Sequence, residues 1–134
     1  MILNYIQGNL FDTADECIAH CVSADLKLGL GIAKEVKSRY PLLPMHAKIG
    51  KAYGMYNENM LVYHLVTKRF YYGKPTYETL KEALISMKEQ LGDIKEISIP
   101  KIGCGLDKLH WPFVEKLILD IFASTNVVIT VYSL

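Results

Sequence analysis

The chain has 134 residues, of which 51% are hydrophobic and 22% charged, with 15 Lys plus Arg against 14 Asp plus Glu. That length suits one ordinary domain able to bury about two thirds of the surface it exposes when unfolded. A net charge of +1 excludes a binder that holds nucleic acid or anionic lipid by bulk charge alone.

Residues 2–6 open the chain as an apolar strand, and residues 17–22 form a second. Ile32, Val36 and Tyr40 recur every four residues and mark a helix that Pro41 stops. Residues 52–56 are a weaker strand and residues 60–66 a strong, continuously apolar one. Thr76 is a good N-cap for a helix with Leu80, Leu84, Met87 and Leu91 along one stripe and Gly92 as its terminator. Residues 96–99 form a further strand. Pro112 suits the first turn of a third helix that presents Val114, Leu117, Ile118 and Ile121, and residues 127–132 close the series as a strand. Apolar strands alternating with helices predict a three-layer α/β/α domain spanning 1–134, with a mixed, mostly parallel sheet of about six strands. The three cysteines have neither disulfide nor metal-ligand spacing. Apolar runs of strand length and the absence of a signal-like segment point to a reducing compartment away from the membrane, the cytoplasm or a nucleus.

In such sheets ligands sit beyond the carboxyl ends of the strands, and two loops there are unusual. One runs Ser23-Ala24-Asp25-Leu26-Lys27-Leu28-Gly29-Leu30-Gly31, and the other Pro100-Lys101-Ile102-Gly103-Cys104-Gly105-Leu106-Asp107. Glycines admit positive φ and let backbone N–H groups approach an anion, and a following helix start adds a favourable dipole. Two such loops would grip a diphosphate from both sides. Neither loop fits the dinucleotide or Walker fingerprints.

These loops, together with Gln7-Gly8-Asn9-Leu10-Phe11, Ala19-His20-Cys21-Val22-Ser23, Gly29-Leu30-Gly31-Ile32-Ala33, Thr67-Lys68-Arg69, Lys74-Pro75-Thr76-Tyr77-Glu78 and Val131-Tyr132-Ser133-Leu134, resemble a macrodomain in collinear order over essentially the whole chain. More narrowly, the sequence resembles the lysine-dependent terminal ADP-ribose protein glycohydrolase subclass. The resemblance implies an ADP-ribose site lined by Asn9, Leu10, Ser23, Gly29, Gly31, Ile32, Thr67, Pro100, Lys101, Ile102, Gly103, Cys104, Gly105, Leu106, Tyr132 and Leu134. It implies Lys68 as nucleophile and Asp107 as its acid/base partner. The implied reaction releases ADP-ribose from glutamate or aspartate esters on proteins and deacetylates O-acetyl-ADP-ribose, with no metal and no cofactor. The family usually has Asp where this chain has Asn9, so the expected hydrogen bond from an adenine amino group meets an amide oxygen without the charge that strengthens it.

The chemistry is coherent from first principles. A neutral amine can attack the anomeric carbon of a glycosyl ester and split one hard step into two. A free lysine amine titrates near ~10.4 and must first lose its proton. Substrate phosphates would oppose that loss unless the glycine loops neutralise them. Other residues have plainer readings. His20, Cys17 and Cys21 fall in a buried strand and read as core; Cys104 has no histidine arranged to activate it; and His46, His64 and His110 share no metal-ligand spacing. Lys74 to Glu78 reads as helix-capping structure, and Phe70, Tyr71 and Tyr72 as either a lid or loop packing. Two alternatives to the hydrolase stand: a reader that binds ADP-ribose without turnover, and the same chemistry on ADP-ribosylated DNA, which the near-zero net charge disfavours. A monomer is expected.

Overall fold

The computed structural model describes residues 1–134. Its elements are β1 (Ile2–Gln7), β2 (Cys17–Ser23), α1 (Gly31–Arg39), β3 (Ala52–Asn57), β4 (Met60–Lys68), α2 (Tyr77–Gln90), β5 (Glu96–Pro100), α3 (Trp111–Phe122) and β6 (Val128–Ser133), with a 3-10 turn at Leu10–Asp12. The strands form one sheet in the order β1-β6-β5-β2-β4-β3. Every pairing is parallel except the β3–β4 hairpin, where Glu58 turns the chain with φ 55. This is the α/β/α architecture and the mostly parallel six-stranded sheet that the alternation predicts.

The period of two along each strand divides the core. Cys17 and Ala19 of β2, and Leu61, Tyr63 and Leu65 of β4, join Ile97, Ile99, Ile129 and Val131 beneath α2 and α3. Ile18 and Val22, with Val62 and Val66, face the opposite layer and pack against Val36 of α1 and Leu28 of the loop that precedes it. β2 and β4 are therefore covered on both faces, which explains their unbroken apolar runs. β1 lies at the sheet edge and is largely exposed.

Local signals fix the helix ends. Thr76 accepts from the Thr79 N–H while Thr79 accepts from the Thr76 N–H, a reciprocal cap, and Gly92 follows α2 with φ +55. Pro112 lies in the first turn of α3. The stripe expected on α1 divides in two: Val36 is fully buried, whereas Ile32 is 40% exposed.

Candidate active site

The central strands β2, β5 and β4 all end on the same side of the sheet, because they run parallel. Their exits deliver three loops to one place: 24–30 after β2, 101–110 after β5 and 69–76 after β4. The exits of β1 and β6 add Gly8, Asn9 and Leu10, and Tyr132, Ser133 and Leu134. Together they enclose a cavity of about 870 Å³, within the range of about 300–1,000 Å³ usual for small-molecule sites.

Both glycine loops line this cavity, and both present unpaired donors. The N–H groups of Gly29 and Leu30 in one loop, and of Gly103, Gly105 and Leu106 in the other, donate to no protein acceptor. Such converging N–H groups are suited to an anion. The first loop passes directly into α1, whose Gly31, Ile32 and Ala33 reach the cavity and whose N-cap Leu30 provides no side-chain cap, so the positive end of that helix faces the ligand space. The second loop differs from expectation. α3 begins only at Trp111, and the cavity wall stops at Lys108, so only one helix dipole serves the site.

The first loop also achieves its shape unexpectedly. Leu26 and Leu28 adopt the left-handed conformation, with φ 54 and φ 44, where glycine would be unstrained. Leu28 is repaid by burial against Val22 and Val66. Asp25 stitches the segment together. Its carboxylate accepts from the Ser23 hydroxyl at 2.5 Å, the Lys27 N–H at 3.2 Å and the Tyr71 N–H at 2.9 Å. Despite some desolvation, those three donors hold its carboxyl below the usual carboxylate range.

Lys68, the last residue of β4, points its Nζ at Asp107 Oδ1 across 2.6 Å. Both side chains are mostly shielded, at 14% and 15% exposure, and both lie in the cavity wall. Thirty-nine residues separate them in sequence; the shared exit side of β4 and β5 brings them together. Two thiols also reach the cavity, Cys21 and Cys104. Burial pushes the Cys21 thiol up to about 12, and burial raises Cys104 as well, so neither offers a thiolate at neutral pH.

Of the residues implied by resemblance, Thr67 departs. Its side chain is buried, its hydroxyl has no hydrogen-bond partner, and it lies outside the cavity wall. Strand alternation sends Lys68 to the site and its neighbour Thr67 into the layers. The remaining implied residues line the cavity. Asn9 does so with a qualification, since its Oδ1 already accepts the Phe11 N–H at 2.9 Å and caps the 3-10 turn.

Sequence reading missed several wall residues. His20, read as core, is buried yet lines the cavity. Its Nε2 lies 2.7 Å from Nδ1 of His64, a neighbour across the β2–β4 register. Desolvation holds His20 well below its usual value and His64 at about 4, so both imidazoles are neutral. Only the register reveals this pair. Tyr71 and Tyr72, read from sequence as either lid or loop packing, form part of the rim, with Phe70 and Tyr72 stacked at 5.3 Å. Lys74 also lines the cavity, although its motif reads as capping structure. No group of three or more His, Cys, Asp or Glu side chains is arranged for a metal ion, and no helix is long and apolar enough to cross a membrane.

No protein-family model matches the chain. A curated relative, the ADP-ribose glycohydrolase OARD1 of Homo sapiens, is 36% identical over 139 residues, covering 98% of this chain and 91% of that protein. Among solved structures, the macrodomain of Mycobacterium tuberculosis DarG superposes with a TM-score of 0.89 at 21% identity, covering 99% of this chain and 98% of that one. Thermosipho africanus DarTG in complex with ADP-ribose superposes at 0.82 with 20% identity, covering 99% of this chain and 42% of that one.

Proposed function

The chain belongs to the macrodomain ADP-ribose glycohydrolases, and from that premise we propose that it removes mono-ADP-ribose from glutamate or aspartate esters of proteins and deacetylates O-acetyl-ADP-ribose. The observation that carries the mechanistic reading is the shielded 2.6 Å contact between Lys68 Nζ and Asp107 Oδ1. The diphosphate is held by the donors of the two glycine loops and the start of α1. The nucleoside end lies toward Asn9, Leu10, Tyr132 and Leu134, where Asn9 offers the second lone pair of its amide oxygen. The distal ribose then falls beside Lys68.

Proton transfer from Lys68 Nζ to Asp107 leaves a neutral amine. Its lone pair attacks the anomeric carbon, forming a C–N bond as the C–O bond to the ester breaks, and the acyl group departs as a carboxylate. The departing carboxylate carries off the proton held by Asp107, which, ionised again, deprotonates the water that attacks the same carbon. The C–N bond breaks, Lys68 leaves as the amine, and Asp107 returns the water's proton to it. Both cavity thiols are held protonated by burial, which leaves Lys68 as the nucleophile of choice.

The test is incubation with glutamate-linked ADP-ribosyl protein, comparing wild type with Lys68→Ala and Asp107→Ala. The expected result is turnover by wild type alone. In Asp107→Ala, where Lys68 must lose its proton to solvent, an adduct at Lys68 should form slowly and accumulate by mass spectrometry because no base then activates water. Wild-type turnover by both variants would overturn the mechanism. ADP-ribose binding without turnover by wild type would indicate a reader, and preference for an ADP-ribosylated oligonucleotide over the protein would indicate a DNA substrate.

A further inference from the structure

One motif is left over by that reading: Lys74-Pro75-Thr76-Tyr77, with Thr79 two residues on. Capping accounts for Thr76 and for part of Thr79. It does not account for three tethers that leave this segment. The Thr79 hydroxyl donates to the Thr67 carbonyl at 2.7 Å, at the residue preceding Lys68. Lys74 Nζ donates to the Leu106 carbonyl at 2.8 Å, at the residue preceding Asp107. The Tyr77 hydroxyl accepts the His110 N–H at 2.9 Å, beyond Asp107, and the Tyr77 ring meets Phe113 edge-on at 5.8 Å.

We propose that Lys74, Tyr77 and Thr79 are positioning residues: a jig at the start of α2 that sets the distance between Lys68 and Asp107. The proposal rests on the lysine–aspartate reading above. Asp107 lies in a loop without regular structure, and no hydrogen bond other than the one from Lys68 reaches its carboxylate. Pinning the carbonyl before it and the N–H after it confines the loop on both sides, and Thr79 references the same helix turn to the end of β4. The reacting pair is thereby registered against the first turn of α2 and the residues leading into it, and not merely against itself. Small misplacements at reacting centres cost rate steeply.

The test compares kcat, KM and ADP-ribose affinity for Lys74→Met, Tyr77→Phe and Thr79→Val, with thermal unfolding recorded for each. Lys74→Met is expected to lower kcat about tenfold while KM and ADP-ribose affinity stay within about twofold, and Lys74→Arg should retain most of the rate. Tyr77→Phe, which leaves α2 capped, should lower kcat in the same way. In a crystal structure of Lys74→Met with ADP-ribose, the Lys68–Asp107 contact should open beyond hydrogen-bond reach. Weakened ADP-ribose binding with kcat intact would make Lys74 a ligand-binding residue and overturn the proposal, as would a lowered kcat with the 2.6 Å contact unchanged. Wild-type turnover by Lys68→Ala and Asp107→Ala would instead refute the reading beneath it.

Discussion

The buried imidazole pair behind the cavity makes the stability of the protein depend on pH in a calculable way. His20 and His64 are 1% and 0% exposed, and one proton shared across their 2.7 Å contact satisfies one nitrogen of each ring. Two neutral rings carry two protons, the shared one and one on an outer nitrogen. The outer nitrogens, Nδ1 of His20 and Nε2 of His64, have no partner, so a third proton would bring an unpaired charge into the core. Burial therefore lowers both folded-state values, that of His64 from 6.5 to about 4. A depressed value means that the unfolded chain binds the proton first. The stabilisation is complete above about pH 6.5 and is lost as pH falls toward 4. For His64 alone the loss is roughly 3 kcal/mol, at about 1.4 kcal/mol per pH unit, a large share of the 5–15 kcal/mol typical of a domain. Urea unfolding at pH 7.5, 6.5, 5.5 and 4.5 would measure it, with the double variant His20→Leu, His64→Leu as reference. The wild type should lose stability steeply over this interval and the variant should follow a shallower course. Parallel curves for the two proteins would refute the argument.

Other outcomes follow from single contacts. Gly103 has φ +73, and a Cβ there would come within 2.9 Å of Leu109 Cδ1; Gly103→Ala should cost about 1–2 kcal/mol in denaturant unfolding and lower turnover by shifting the Asp107 loop. Thr76→Ala removes the reciprocal cap of α2 and should cost about 1 kcal/mol, read as a lower unfolding midpoint. Ile118→Ala, at a fully buried position in α3, should cost about 2–5 kcal/mol without changing ADP-ribose affinity in the protein that remains folded. Asn9→Asp keeps an acceptor for the Phe11 N–H and adds a negative charge, so calorimetry should find ADP-ribose bound several-fold more tightly.

The order of strands and helices was legible in the sequence because each signal is local. Apolar runs, the Thr76 cap, Gly92 and Pro112 act within a few residues, and the observed elements begin and end close to the expected positions. The glycine loops were legible as loops, and their placement beyond the strand ends follows from parallel topology. The conformation within them was legible only in part. Gly31 and Gly103 take the positive φ that glycine admits, but Leu26 and Leu28 take the left-handed backbone too, because burial of Leu28 and the three donors on Asp25 stabilise a shape that local propensity disfavours. Thr67 and Lys68 were indistinguishable as neighbours until strand alternation turned one inward and the other to the cavity. The sheet order alone made a contact of Lys68 with Asp107, a pair of His20 with His64, and a three-point tether of Lys74, Tyr77 and Thr79. Each joins residues distant in sequence, so no pattern along the chain encodes it. Motif resemblance nominated the residues, while tertiary structure decided which of them meet.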